Sequence, residues 1–128
     1  MELNRNSATL KGPNEMFTGD VYIDRLSNGN DLSPMSVGAV HFTPGSRSAW
    51  HSHRGGQTLY VTEGRGLVQS RGGDVVKIKV GDVVVAGDGE EHWHGSDPDH
   101  FMTHISMTIG EATWGPHITD GEYYGTQK

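Results

Sequence analysis

The sequence contains no cysteine among its 128 residues, which excludes disulfide bonds and thiolate metal ligands. Basic residues are also scarce, with 10 Lys and Arg against 16 Asp and Glu and a formal net charge of -6. Because a nucleic-acid-binding surface needs a basic patch, this balance argues against a nucleic-acid partner. Residues 1–12 lack the apolar core of a signal peptide, and no stretch approaches the roughly 20 apolar residues of a membrane helix. We therefore predict a cytoplasmic protein without a membrane partner.

Sustained helical periodicity is also absent, whereas glycine is abundant, with 19 residues. Short apolar segments alternate with turns rich in Gly, Asn and Asp, and this pattern is typical of an all-β sandwich or barrel. We predict one domain over residues 1–128, in which residues 1–14 form a polar arm and residues 63–66 form a turn. The segments that we predict as strands include residues 21–26, 36–43, 57–62, 67–71, 75–80, 83–86 and 101–109.

Four of the eight histidines form two His-x-His pairs, His51 with His53 and His92 with His94. Residues two apart in a strand point to the same face, so each pair shares one face. Gln57 follows a Gly-Gly turn that lets its strand return beside the first pair. If these faces line the interior, the side chains converge closely enough to bind a metal ion, whose ligands lie about 2.0–2.3 Å away. We predict His51, His53, Gln57 and His92 as the ligands.

Two motifs carry a resemblance to a known family. Residues 45–64, written G-x5-H-x-H-x3-Q-x6-G, resemble the first cupin motif, with Gln57 where a glutamate is usual. Residues 81–92, written G-x5-G-D-G-x2-H, resemble the second motif, although Gly87 stands where proline is usual and Ser96 where asparagine is usual. The resemblance implies a small single-domain cupin, an all-β double-stranded β-helix or jelly-roll barrel.

A narrower resemblance runs through W-H-S-H-R-G-G-Q-T-L, G-E-E-H-W-H-G, M-T-H and H-I-T-D-G-E-Y. These segments are similar to those of the bacterial cupin hydroxynitrile lyases. The resemblance implies one divalent ion, manganese or a similar metal, held by three histidines and one glutamine. It also implies two further histidines near the ion, which correspond here to His94 and His104. The implied reaction splits a cyanohydrin such as mandelonitrile into an aldehyde and HCN, or forms it.

The predicted ligand set is electrically neutral because Gln57 replaces a carboxylate. A bound ion would therefore keep its full 2+ charge and act as a strong Lewis acid. Mixed nitrogen and oxygen ligands are compatible with Mn, Fe, Ni or Zn. His104 lies on one strand face with Met102, Ser106 and Thr108, and either His104 or His94 could take a proton from a substrate hydroxyl as general base.

An apolar interior suits an aromatic substrate, and we predict that Val40, Leu59, Met102 and Thr108 contact it. Two other functions remain open: an Fe(II)-dependent cupin dioxygenase, and a non-catalytic or isomerase-type cupin that binds a small molecule. Oxygen uptake would distinguish the dioxygenase from the lyase. Besides the small-molecule substrate, we predict a homodimer or homotetramer paired through sheet edges, in which residues 1–14 could be a swapped strand.

Overall fold

The computed structural model describes residues 1–5 and 8–125. The described residues form twelve strands and one short helix, which agrees with the all-β prediction. The strands are β1 (Thr9–Lys11), β2 (Phe17–Thr18), β3 (Val21–Ser27), β4 (Ser36–Phe42), β5 (Arg47–Ser48), β6 (His51–His53), β7 (Gln57–Ser70), β8 (Val76–Lys79), β9 (Val83–Ala86), β10 (His92–Ser96), β11 (Met102–Thr108) and β12 (Ala112–Trp114), and the helix is α1 (Asp120–Gly125).

The strands pair antiparallel in two sheets that share β7. The first sheet has the order β1-β3-β4-β11-β7-β9. In the second sheet β7 lies between β8 and β10, and β10 also pairs with β5 and β6. Strand β5 continues to β2, and β6 continues to β12. The two sheets enclose one interior, as in the predicted jelly-roll barrel.

The prediction of a turn at residues 63–66 is wrong, because the chain stays extended through this segment as part of β7. Gly64 has a φ of 72°, and the pairing with β11 shifts its register between Thr103 and His104. A glycine at positive φ lets the strand bend without steric cost. The first half of β7 therefore pairs with β11, while the second half pairs with β10 and β8.

The barrel interior is apolar at one end. Eight buried side chains form this main core, and Phe42, Val61 and Met102 are at most 1% exposed. Gly66 makes room for the core, because a Cβ there would lie 2.5 Å from the sulfur of Met102. The eight core residues are Phe17, Val21, Val40, Phe42, Val61, Val68, Ile78 and Met102.

A second core lies on the outer face of the second sheet and contains Trp50, Leu67, Trp93, Ile118 and Tyr123. Trp50 and Trp93 belong to this outer core although each is adjacent in sequence to a candidate ligand. Helix α1 supplies Tyr123, which is fully buried and donates a hydrogen bond from its hydroxyl to the carbonyl of Ser96 at 2.6 Å. The C-terminal segment thus covers the back of β10.

The N-terminal arm contains more structure than its sequence predicts. Residues 9–11 of the arm form β1 and pair with β3 of the same chain, and residues 17–18, just beyond the arm, form β2. Residues 6–7 of the arm lie outside the described residues. Strands β7 and β8 form a hairpin around residues 72–74, and Asp120 begins helix α1. No helix among the described residues is long and apolar enough to cross a membrane.

Candidate metal centre

Strands β6 and β10 bring the two His-x-His pairs together. The two strands are antiparallel partners, and His51 lies opposite His92 in the ladder. His51, His53, His92 and His94 are all buried, so both pairs point into the barrel as their spacing predicts. The imidazoles of His51 and His92 lie 4.4 Å apart, centroid to centroid.

Three of these imidazoles can hold a metal ion. His51, His53 and His92 each offer a ring nitrogen, and these nitrogens all lie within 4.8 Å of one another. The Nε2 of His53 is buried and has no hydrogen-bond partner among the described side chains. A buried polar atom without a partner is costly, and a bound cation would satisfy it. The residues present therefore fit a divalent ion.

Backbone carbonyls fix the orientation of two of these rings. The Nδ1 of His51 lies 2.8 Å from the carbonyl of Ala49, and the Nδ1 of His92 lies 2.8 Å from the carbonyl of Glu90. Each Nδ1–H donates to its carbonyl, so each Nε2 presents a lone pair to the interior. Burial lowers the pKa of His51 to about 3 and that of His53 to about 4, so both are neutral at pH 7.

Gln57 completes the group of four predicted ligands. Its Nε2 donates to the hydroxyl of Ser106 at 2.8 Å, and this bond turns its Oε1 toward His92. The Oε1 lies 2.8 Å from the Nε2 of His92. Both atoms are acceptors while the Nδ1 of His92 carries the ring proton, and burial lowers the pKa of His92 and so opposes a second proton. A cation bound by both atoms would remove the repulsion between their lone pairs.

His94 and His104 form a pair directly beside the candidate ligands. The Nε2 of His104 lies 3.0 Å from the Nδ1 of His94, and the Nε2 of His94 lies 3.3 Å from the Nε2 of His51. Because the Nε2 of His51 is an acceptor, His94 donates to it from Nε2–H, and His104 then donates from Nε2–H to the Nδ1 of His94. The Nδ1 of His104 is left as a buried lone pair without a partner among the described residues.

The His94–His104 pair is neutral for the same reason as the candidate ligands His51 and His53. Both side chains are enclosed, and burial lowers the pKa of His104 to about 3 and that of His94 well below its usual value. The ring of Phe42 packs against both imidazoles, 5.7 Å from His94 and 5.3 Å from His104. An apolar neighbour of this kind disfavours the imidazolium form.

A cavity of about 330 Å³ opens beside these histidines. Of the four side chains predicted to contact substrate, Val40 and Thr108 line it. Leu59 and Met102 do not line it, because both are enclosed in the barrel interior and at most 1% exposed. Met102 pairs with Phe42 and Gly64, whereas Thr108, six residues further along β11, pairs with Gln57 at the ligand end.

Sequence reasoning missed two aromatic side chains in the cavity wall, Phe17 and Trp114. The ring of Trp114 stacks on His51 at 4.4 Å with an interplanar angle of 24°. Trp114 reaches this position because β12 pairs with β6 and places it opposite His51. Neither residue belongs to a motif, and only the strand pairing of the two terminal segments brings them to the site.

Residues 38–105 match the cupin domain family, and this chain belongs to that family. It is 45% identical to a protein from Granulicella tundricola named (R)-mandelonitrile lyase, over 96% of this chain and 98% of that protein. The jelly-roll cupin barrel and the resemblance to cupin hydroxynitrile lyases, both predicted from sequence, are therefore confirmed.

Solved structures agree with the fold. A cupin-like protein from Thermotoga maritima superposes with a TM-score of 0.88 at 36% identity, covering 98% of this chain and 97% of that one. A predicted oxalate decarboxylase from the same organism has a TM-score of 0.73 at 21% identity, covering 87% of this chain and 100% of that one, which shows the fold alone. The cupin fold thus extends over nearly the whole chain.

Proposed function

We propose that this cupin is a metal-dependent hydroxynitrile lyase that cleaves and forms aromatic cyanohydrins such as mandelonitrile. The relative from Granulicella tundricola supports this reaction, since the likeness covers nearly all of both chains. The observation that carries the proposal is the neutral His94–His104 pair, which adjoins three histidines able to hold a metal ion and faces a partly apolar cavity.

His51, His53, His92 and Gln57 would hold the ion, and manganese is the metal that we propose, with Fe, Ni and Zn as alternatives. When bound, the ion supplies a Lewis acid that stabilises negative charge on a substrate oxygen. The protein supplies no carboxylate to this ligand set, so the residues that exchange protons with the substrate must lie outside it.

His94 is the residue that we assign as general base. The Nε2 of His51 would be a ligand in the metal-bound protein and could no longer accept the Nε2–H of His94, so the pair would take the opposite tautomers. The Nδ1–H of His94 then donates to the Nε2 of His104, and the Nε2 of His94 carries a lone pair that can take the proton of a cyanohydrin hydroxyl. The 3.0 Å contact with His104 then stabilises the resulting imidazolium. His104 is the positioning residue that sets which nitrogen of His94 carries the proton.

His94 also returns the proton that it takes from the substrate. Removal of the hydroxyl proton forms the aldehyde carbonyl as the bond to the nitrile carbon breaks, and the bonding electrons leave with cyanide. The imidazolium of His94 returns its proton from Nε2 to cyanide, and HCN departs. Phe17, Val40 and Trp114 line the cavity and give an aromatic ring an apolar surface while excluding water.

The test measures benzaldehyde release from (R)- and (S)-mandelonitrile by protein that has been stripped of metal and reloaded with Mn. We expect release above the buffer rate, loss of release after chelation, and a fall of at least tenfold in kcat/KM for His104→Ala at unchanged metal content. Arg65→Gln, which alters an exposed residue outside the cavity lining, is the control and should behave as the unsubstituted protein. Release no faster than in buffer from fully loaded protein would refute the proposal.

A further inference from the structure

The outer faces of the two sheets differ in how well they are covered. The second sheet carries an outer core on this side, in which Trp93 packs against Tyr123 of helix α1. On the outer face of the first sheet, Tyr60 is 44% exposed, Val83 58% and Val85 71%. No helix or strand among the described residues shields these side chains. The first sheet therefore presents an apolar face to solvent.

Strand alternation and pairing align the outward side chains of the first sheet in two rows. On β11, His104 and Ser106 point into the barrel, so Ile105 and Met107 point outward. Cross-strand pairing sets their neighbours on β4, β7 and β9. The first row contains Ala39, Ile105, Tyr60 and Val83, and the second contains Met107, Thr58 and Val85. Thr58 is the one member of the two rows that is neither aliphatic nor aromatic.

The ionisable side chains beside these rows, Asp24 and His41, are paired within the chain. Asp24 lies next to Ala39 in the ladder, and its Oδ2 accepts a hydrogen bond from the Nε2 of His41 at 2.9 Å. The hydroxyl of Thr103 lies 3.0 Å from the Nδ1 of His41. In a two-fold contact each face meets the same face of the other copy, so an unpaired charge there would oppose its own kind. The internal pairing of Asp24 avoids this repulsion.

The face is also large enough for a stable dimer. Strands β4 and β11 have seven residues each and extend about 23 Å. The five strands β3, β4, β11, β7 and β9 lie about 4.8 Å apart and extend about 24 Å across. The projected area is roughly 550 Å², and the relief of the side chains brings the accessible surface toward the roughly 800 Å² that each partner buries in a standard interface.

We propose that two copies of this chain associate through the outer faces of their first sheets, around a two-fold axis. The two sheets would stack about 10 Å apart with strand directions within about 30° of each other, and their apolar rows would interlock. This contact joins sheet faces, whereas pairing through sheet edges is the arrangement predicted from the sequence. It goes beyond the proposed lyase reaction and does not depend on it, because Tyr60, Val83 and Val85 lie outside the cavity lining.

Sedimentation velocity of the full chain from about 1 μM to about 100 μM tests the proposal. We expect a mass of at least twice the 13.9 kDa of one chain. Tyr60→Lys and Val85→Lys each place a charge in one row, and each should raise the dissociation constant by about tenfold or more. Val76→Lys is the matched control, because Val76 is 55% exposed but belongs to β8 of the second sheet, and it should leave the dissociation constant unchanged.

Urea unfolding provides a second measurement on the same proteins. Association stabilises the folded state by mass action, so the unfolding midpoint should rise with protein concentration in the unsubstituted protein and in Val76→Lys. In Tyr60→Lys and Val85→Lys this rise should be smaller, while a cooperative transition verifies that both variants are folded.

Two results would overturn the proposal. One is a single-chain mass for the unsubstituted protein at about 100 μM, because this face would then meet solvent or a different partner. The other is association that Tyr60→Lys and Val85→Lys leave as strong as Val76→Lys does, because the contact would then lie elsewhere on the molecule. Neither measurement involves mandelonitrile, so failure of the lyase proposal and failure of this one are separate outcomes.

Discussion

Gln57→Glu is the substitution that tests the neutral ligand set most directly. Gln57 is 6% exposed, its amide nitrogen donates to Ser106, and its amide oxygen faces the Nε2 of His92 at 2.8 Å. Glutamate has nearly the same shape and adds one negative charge. The hydroxyl of Ser106 can rotate and donate to the new carboxylate, so the local hydrogen bond is conserved. The change is therefore mainly electrostatic.

The added negative charge should destabilise the metal-free protein but strengthen the binding of a metal ion. In metal-free protein a buried carboxylate loses hydration, and we expect the free energy of unfolding to fall by about 1–3 kcal/mol. With a divalent ion bound, the carboxylate becomes a charged ligand, and a gain of about 1.5–3 kcal/mol corresponds to roughly 10- to 100-fold tighter metal binding. The same charge neutralises part of the ion, so kcat/KM for mandelonitrile should fall.

Chemical denaturation with and without Mn measures the first two effects, and competition with a chelator gives the metal affinity. Gln57→Met serves as the control, because it keeps the volume but removes the oxygen and should weaken metal binding. If Gln57→Glu binds Mn no more tightly than the unsubstituted protein while Gln57→Met binds it equally well, residue 57 is not a ligand. That result would refute a neutral centre of four ligands.

Three further predictions concern stability. Tyr123→Phe removes a buried hydroxyl that donates to Ser96 at 2.6 Å, and the midpoint of urea unfolding should reveal a loss of about 1 kcal/mol; no loss would mean that this bond adds nothing. Gly56→Ala should lower the free energy of unfolding more than Gly72→Ala does in the same assay. Both glycines have a φ above 80°, but only at Gly56 would a Cβ meet a carbonyl oxygen of β9 at 2.6 Å. Metal-free protein should lose stability as the pH falls below 6.5 toward 3, because His104 is protonated in the unfolded chain but stays neutral in the fold, where burial lowers its pKa to about 3. By pH 5 this residue alone should lower the free energy of unfolding by about 2 kcal/mol. A His104→Gln variant whose stability has the same pH dependence as that of the unsubstituted protein would refute this assignment.

The sequence was informative where periodicity and glycine spacing act locally. The His-x-His pairs at residues 51–53 and 92–94 required only the two-residue alternation of a strand to predict one shared face each. The Gly-Gly turn before Gln57 likewise predicted the return of the chain, and both glycines have a positive φ. These features depend on a few consecutive residues, so no tertiary information was needed.

The errors arose where tertiary pairing decides the structure. Residues 63–66, E-G-R-G, have the composition of a turn, but β11 and β10 pair on either side of Gly64 and keep the strand extended. Phe17 and Trp114 belong to short strands near the chain ends, and their position at the cavity depends on pairing with β5 and β6. Leu59 and Met102 point into the barrel as predicted, but the two-residue alternation of a strand does not tell how far along the barrel a side chain lies.

The placement of the candidate ligands depends on both faces of β10. His92 and His94 point into the barrel, while Trp93 between them is 1% exposed in the second core and donates from its indole to Gln69 at 2.8 Å. A strand held on both faces cannot rotate about its axis without breaking one set of contacts. Tyr123 packs against Trp93 at 6.0 Å, so the C-terminal helix fixes the imidazoles from the opposite side of the sheet. The stability of that outer core is therefore part of what positions the candidate metal ligands.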